Sequence, residues 1–144
     1  MRLEKKTRQY IEKFDLLPMG SGVVIGLSGG ADSVALLEVL CSLQQERGLR
    51  LAAVHVHHGI RRNAQEDVEF CRELCMEKKV DFFCEYVDGP EMAKVQGLSE
   101  EEAGRNARYH IFEEYRGKLQ MDIILHPQMQ EHPSKAQQPL SPVV

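Results

Sequence analysis

The run Ser28-Gly29-Gly30-Ala31-Asp32-Ser33 holds the residue types from which a phosphate site is made. Consecutive glycines let a ligand approach the backbone closely, because no Cβ stands in the way. The run follows a short apolar stretch, Val23–Leu27, rich in β-branched residues, and precedes the strongly apolar Val34–Leu40. A strand feeding a helix puts the turn at the helix N-terminus, where unpaired N–H groups and the positive end of the helix dipole attract an anion. Ser28 and Ser33 add hydroxyl donors for phosphate oxygens. Asp32 is the informative residue. A carboxylate facing phosphate repels it unless a cation lies between, which points to Mg²⁺ held on Asp32. The alternative is a plain strand-to-helix turn with Asp32 as an ordinary first-turn acid. The run lacks both the G-K-[ST] of a Walker A loop and the G-x-G-x-x-G of a dinucleotide fold.

Two further segments carry candidate groups. His57 and His58 stand before Gly59, where a second buried strand, Leu51–Val56, should end. Both are expected to contact a nucleotide, and His55 to face the core. Arg61 and Arg62 then give a local basic patch or, alternatively, a solvated loop. Arg105 and Arg108 are three residues apart, hence neighbours on one helix face. Guanidinium forks suit phosphate or carboxylate, although salt bridges with Glu101, Glu102 or Glu113 would satisfy the same side chains. Glu102 either orients Arg105 or completes a capping box begun by Ser99. Cys41, Cys71, Cys75 and Cys84 form no C-x-x-C pair and lack partners at finger spacing. They read as reduced core or half-buried thiols rather than metal ligands.

These groups need a frame. Arg2 to Leu17 reads as an amphipathic helix with Leu3, Tyr10, Ile11, Phe14 and Leu17 on its apolar stripe. After the break at residues 18–22 come a strand, the phosphate turn and a helix ended near Gly48. The second strand and a polar loop from His57 to Gln65 follow. Then come a helix over Glu66–Lys79 with Val68, Cys71, Leu74 and Cys75 inward, and a third strand, Phe82–Val87. A short helix over Glu91–Gln96, a helix from Ser99 to about Tyr115 and a fourth strand, Met121–Leu125, complete the order. Strands alternating with helices predict an α/β fold, a parallel sheet with helices on both faces. Ligands in such a sheet bind at the carboxyl ends of the strands, where both conspicuous loops lie. The 144 residues suffice for one domain with its own core. A balance of 42% hydrophobic and 28% charged residues excludes collagen-like and wholly disordered chains. The net charge of −4 argues against a generic nucleic-acid binder, although not against an enzyme that meets a nucleic acid at a local patch. No apolar run is long enough to span a membrane, and MRLEKKTRQY has no apolar signal region, so the cytoplasm is the expected location.

Ser28–Ser33 resembles the S-G-G-x-D-S loop of the PP-loop ATP pyrophosphatases, which implies a Rossmann-like fold, ATP as substrate and Mg²⁺. Val54-His55-Val56-His57-His58-Gly59-Ile60-Arg61 and Leu98–Tyr109 resemble, in addition, the H-V-x-H-G-L-R and E-x-x-A-R-x-x-R-Y segments of tRNA(Ile)-lysidine synthetases. That resemblance, over roughly residues 20 to 125, implies a ligase in two steps. ATP adenylates the C2 oxygen of the wobble cytidine of tRNA(Ile), releasing pyrophosphate. The lysine ε-amine then attacks C2 and AMP leaves. It implies that Asp32, Arg105 and Arg108 are catalytic and that Ser28, Gly29, Gly30, Ala31, Asp32 and Ser33 bind ATP. His57, His58, Arg61 and Glu102 are then further contacts, with Glu102 toward the lysine amine. The partners are tRNA(Ile), lysine and ATP, with no membrane. In the family's sheet the fourth strand lies beside the first. The family's next signature, approximately H-H-x-x-D-x-x-E-T, has no match after Ile123-Ile124-Leu125-His126. Residues 1–125 are therefore expected to be the N-terminal part of a PP-loop domain, incomplete at the C-terminal edge of its sheet. Residues 126–144, rich in proline and glutamine, are expected to be a disordered, non-family tail left by truncation or frameshift, with little activity in the chain. The alternatives are a PP-loop tRNA 2-thiolation enzyme, whose branch uses cysteines, and a non-catalytic ATP-binding fragment.

Overall fold

The structure is a computed structural model that describes Lys5, Gln9, residues 17–57 and residues 64–127. Apart from Lys5, Gln9 and Leu17, the expected helix over Arg2–Leu17 lies outside the described residues. So do His58, Arg61 and Arg62, and the tail from residue 128.

The described chain runs β1 (Gly22–Gly26), α1 (Ala31–Arg47), β2 (Arg50–His57), α2 (Ala64–Lys78), β3 (Asp81–Tyr86), α3 (Gly89–Gln96), α4 (Glu100–Lys118) and β4 (Ile123–Leu125). The strands form one parallel sheet in the order β3-β2-β1-β4. β1 is buried along its whole length, which is why it reads as a continuous apolar run rather than an alternating one. β4 lies beside β1, with Val23 opposite Ile123 and Ile25 opposite Leu125. Consecutive strand residues point to opposite faces, and β3 uses this to seat two helices. Phe82 lies under the Arg72 guanidinium of α2, and Phe83 packs its ring 5.0 Å from Tyr115 of α4. Helices thus cover both faces, as expected. Among the described residues no helix is long and apolar enough to cross a membrane.

Helix ends follow their local chemistry. Ser99 caps α4, its hydroxyl accepting the Glu102 N–H at 3.1 Å, and Asp88 caps α3 through the Glu91 N–H at 3.1 Å. Several boundaries shift by a few residues from the apolar pattern, and two of the shifts bear on the site and the sheet. α1 begins at Ala31, so Ala31, Asp32 and Ser33 form its first turn and only Ser28–Gly30 is loop. β4 begins at Ile123 rather than Met121, because Asp122 is drawn sideways. Its carboxylate accepts the Gly22 N–H at 2.7 Å while its own N–H donates to the Gly22 carbonyl at 2.8 Å.

Candidate functional site

The strand order reverses between β1 and β4, because the chain builds outward from β1 to β3 and then returns to the far side of β1. Such a switch point leaves a crevice at the carboxyl ends of the strands. A cleft of about 560 Å³ lies there, lined by Ser28, Gly30, Ala31, Asp32 and Ser33 from the loop and first turn of α1, by the end of β2 through His57, and by Asp67, Arg108, Phe112 and His126.

The loop is held by its own side chains. Ser33 is buried, and its hydroxyl donates to the Gly30 carbonyl at 3.0 Å. The same oxygen accepts the backbone N–H of Ser28 and of Gly29, each at 3.1 Å. Ser28 Oγ donates to Ser33 Oγ at 3.1 Å and accepts the Gly30 N–H at 3.3 Å. Ser33 therefore clasps the loop from beneath, while Ser28 is exposed at the cleft. Gly29 has φ of +93°, a conformation open to glycine and strained for other residues. Gly30 stands at the N-cap without a side-chain cap, which leaves the first N–H groups of α1 for a ligand. Asp32 is exposed on that first turn, at the cleft.

Behind the loop, His55 is buried as expected and pairs its Nδ1 with the Leu27 carbonyl at 2.7 Å. Cys71 Sγ lies 3.9 Å from the same nitrogen. Burial pushes the Cys71 thiol up to about 12 and the Cys75 thiol up to about 11, and it raises Cys41 and Cys84 as well. All four are free thiols kept protonated and unreactive. Among the described residues no three His, Cys, Asp or Glu side chains gather where they could hold a metal ion.

The far wall is aromatic. His126, directly after β4, packs its ring 5.6 Å from Phe112 and 6.1 Å from Tyr109. Both Phe112 and His126 lie over the end of β1. A Cβ on Gly26 would fall 2.7 Å from His126 Cδ2 and 2.8 Å from Phe112 Cζ. Burial, reinforced by the positive Arg108, pushes His126 down to about 4, so its imidazole is neutral near pH 7. Burial also lowers Arg108 from its ordinary value, with Tyr109 acting in the opposite direction, yet a guanidinium stays charged.

The structure thus brings together Ser28, Gly30, Ala31, Asp32, Ser33, His57 and Arg108 at one cleft, with Gly29 in the turn beneath it. Arg105 and Glu102 stand outside its lining. Arg105 is exposed and lies 3.8 Å from Glu101, one of the ion pairs foreseen as the alternative use of these arginines. The N–H of Glu102 is held by the Ser99 cap. Asp67, Phe112 and His126 were missed as lining residues. The signal for two of them was positional: Asp67 is in the first turn of the helix after β2 and His126 directly follows β4, so both fall at the ligand-binding edge.

A family model described as a PP-loop domain matches residues 1–132. The tRNA(Ile)-lysidine synthase of Caldanaerobacter subterraneus subsp. tengcongensis is 42% identical over 111 residues, covering 76% of this chain and 24% of that protein. The tRNA(Ile)-lysidine synthase of Geobacillus kaustophilus is 39% identical over 120 residues, 83% of this chain and 26% of that protein. The chain spans about a quarter of the length of these curated relatives. In fold it is similar to the U34-tRNA thiolase NcsA from Methanococcus maripaludis, solved with its [4Fe-4S] cluster, with a TM-score of 0.72 and 19% identity over 87% of this chain and 44% of that one. Since the matched span takes in every described element from β1 to β4, the chain belongs to the PP-loop domain family.

Proposed function

We propose that this chain carries the ATP site of a tRNA(Ile)-lysidine synthase, the site at which ATP adenylates the wobble cytidine before lysine displaces AMP. The observation that supports it most is the clasped Ser28–Gly30 loop beneath an uncapped helix start at the switch point. There the first N–H groups of α1 receive the β- and γ-phosphates, and the Ser28 hydroxyl joins them by turning its proton from Ser33 Oγ to a phosphate oxygen. The cytidine C2 oxygen attacks the α-phosphorus, the bond to the bridging oxygen breaks, and pyrophosphate leaves toward the loop. Arg108 faces the α-phosphate across the cleft and offsets the charge that develops there. His57 lines the nucleotide side. Arg105 and Glu102 lie outside the lining and are assigned to lysine or the RNA; His58 and Arg61 are assigned to nucleotide contacts on the family resemblance. Asp32 fits Mg²⁺, an ion that takes one or two carboxylates and completes its shell with phosphate oxygens and water. When bound, the ion would neutralise phosphate charge.

The thiolation reading is less well supported, despite the fold likeness. Its sulfur chemistry needs accessible or clustered cysteines, and the four here are buried or half-buried, with raised thiols and no gathered ligand set among the described residues.

Calorimetric titration with ATP, with and without Mg²⁺, tests the site. ATP should bind in a Mg²⁺-dependent way, and Asp32→Ala should weaken binding about tenfold or more. Absence of ATP binding by the native chain, or unchanged Mg²⁺-dependent binding by the variant, sinks this assignment. Lysine- and tRNA(Ile)-dependent AMP release tests the full reaction separately.

A further inference from the structure

We propose that Tyr86 holds the ring of His57 as the base-side wall of the cleft, so that the pair stacks on the purine of the bound nucleotide. This rests on the ATP-site reading above and extends it to a residue outside the lining.

The last residues of β2 and β3 are paired in register, His57 opposite Tyr86. Their ring centroids are 4.8 Å apart, with planes inclined at 43°. The His57 carbonyl accepts the Val87 N–H at 2.9 Å, which ties the backbone beneath both rings. His57 lines the cleft. Tyr86 is 61% exposed, at the same sheet edge. Neighbouring strands are about 4.8 Å apart, so His57 stands about one spacing from the phosphate loop and Tyr86 about two, roughly 10 Å. That is comparable with the reach of a nucleoside triphosphate from its β-phosphate to its base. A nucleotide anchored by its phosphates at Ser28–Gly30 and extended along the strand ends therefore passes His57 and brings its base to the His57–Tyr86 pair. A phenol ring behind the imidazole restricts its rotation away from the base, and stacking on such a wall uses the π-face of the base. The competing explanation is a cross-strand aromatic pair that only supports the sheet.

The test separates the base from the phosphates. Affinities for ATP and for inorganic pyrophosphate, each with Mg²⁺, are measured by calorimetry for the native chain, Tyr86→Ala and Tyr86→Phe, with a thermal melt of each. Tyr86→Ala should lose about tenfold in ATP affinity and less than about twofold in pyrophosphate affinity. Tyr86→Phe should restore ATP binding, because the ring and not the hydroxyl holds the imidazole. A purely structural pair lowers the melting temperature of Tyr86→Ala and leaves the ratio of the two affinities unchanged. That result overturns the proposal, as does an equal loss for both ligands. If the native chain binds pyrophosphate and ATP equally, the base has no wall and this proposal alone falls. If it binds neither, the ATP-site reading falls and takes this one with it.

Discussion

The phosphate-loop wall of the cleft is held by hydrogen bonds between residues no more than five positions apart. The opposite wall joins the end of β1, the middle of α4 and the residue after β4: Gly26, Arg108, Phe112 and His126. The first wall is made of backbone N–H groups and hydroxyls, exposed at its rim. The second is made of buried rings. A wall built from neighbours in sequence needs only its own turn to be correct. A wall built from distant segments exists only once β4 has docked on β1, and it carries the energetic cost of a buried imidazole. The two should therefore fail differently.

Gly26→Val gives the largest expected effect. A branched side chain there would meet two rings where a single Cβ already falls within 2.8 Å of each. Overpacking of this kind should lower stability by about 3 kcal/mol, read as the urea midpoint at unchanged slope. It should also loosen the β1–β4 pairing, seen as faster amide exchange in both strands. A loss under about 0.5 kcal/mol would show that the rings are not packed on β1. The next effect is set by pH. His126 titrates at about 4 in the folded chain and near 6.5 when unfolded. The unfolded chain therefore takes up a proton in a window where the folded chain does not. Stability from this group is complete above pH 6.5 and is lost as pH falls toward 4, amounting to about 2 kcal/mol by pH 5. His126→Asn should flatten that part of the pH–stability curve. An unchanged acid limb in the variant would show that His126 titrates normally.

The same contrast explains what could be read from the sequence. The S-G-G-A-D-S segment between strand and helix, the Ser99 cap and the alternation of strands and helices are local chemistry, and they stand where the residues place them, except that Ala31, Asp32 and Ser33 belong to the helix rather than the turn. The sheet order followed once the resemblance set β4 beside β1. Arg105 and Arg108 could not be separated, because spacing makes them neighbours on the helix without saying which faces the cleft. That depends on the roll of α4, fixed by its buried stripe of Ala103, Gly104, Ala107, Ile111 and Phe112. Ser33 shows the limit even of a local motif. A hydroxyl read as a phosphate donor is turned inward, because the start of α1 at Ala31 places it under the loop.

Ser33→Ala should have the smallest effect on stability and the most local one. Removing Oγ leaves the Ser28 and Gly29 N–H groups without their acceptor, while the Gly30 carbonyl loses one of two donors and keeps the Val34 N–H at 3.0 Å. Buried without partners, these groups would be costly, but Ser28 and Gly30 are exposed, so water can replace much of what is lost. The expected loss is about 1 kcal/mol, about 3 °C in melting temperature for a chain of this size. Amide exchange should accelerate at Ser28 and Gly29 and stay unchanged at Val24 and Ile124, the central pair of the β1–β4 ladder. ATP should bind more weakly, because the first N–H groups of α1 remain while the turn that aims them has loosened. Acceleration that spreads into β4 would mean that the loop and the aromatic wall form one cooperative unit, and the distinction between a locally built wall and a globally built one would then fail.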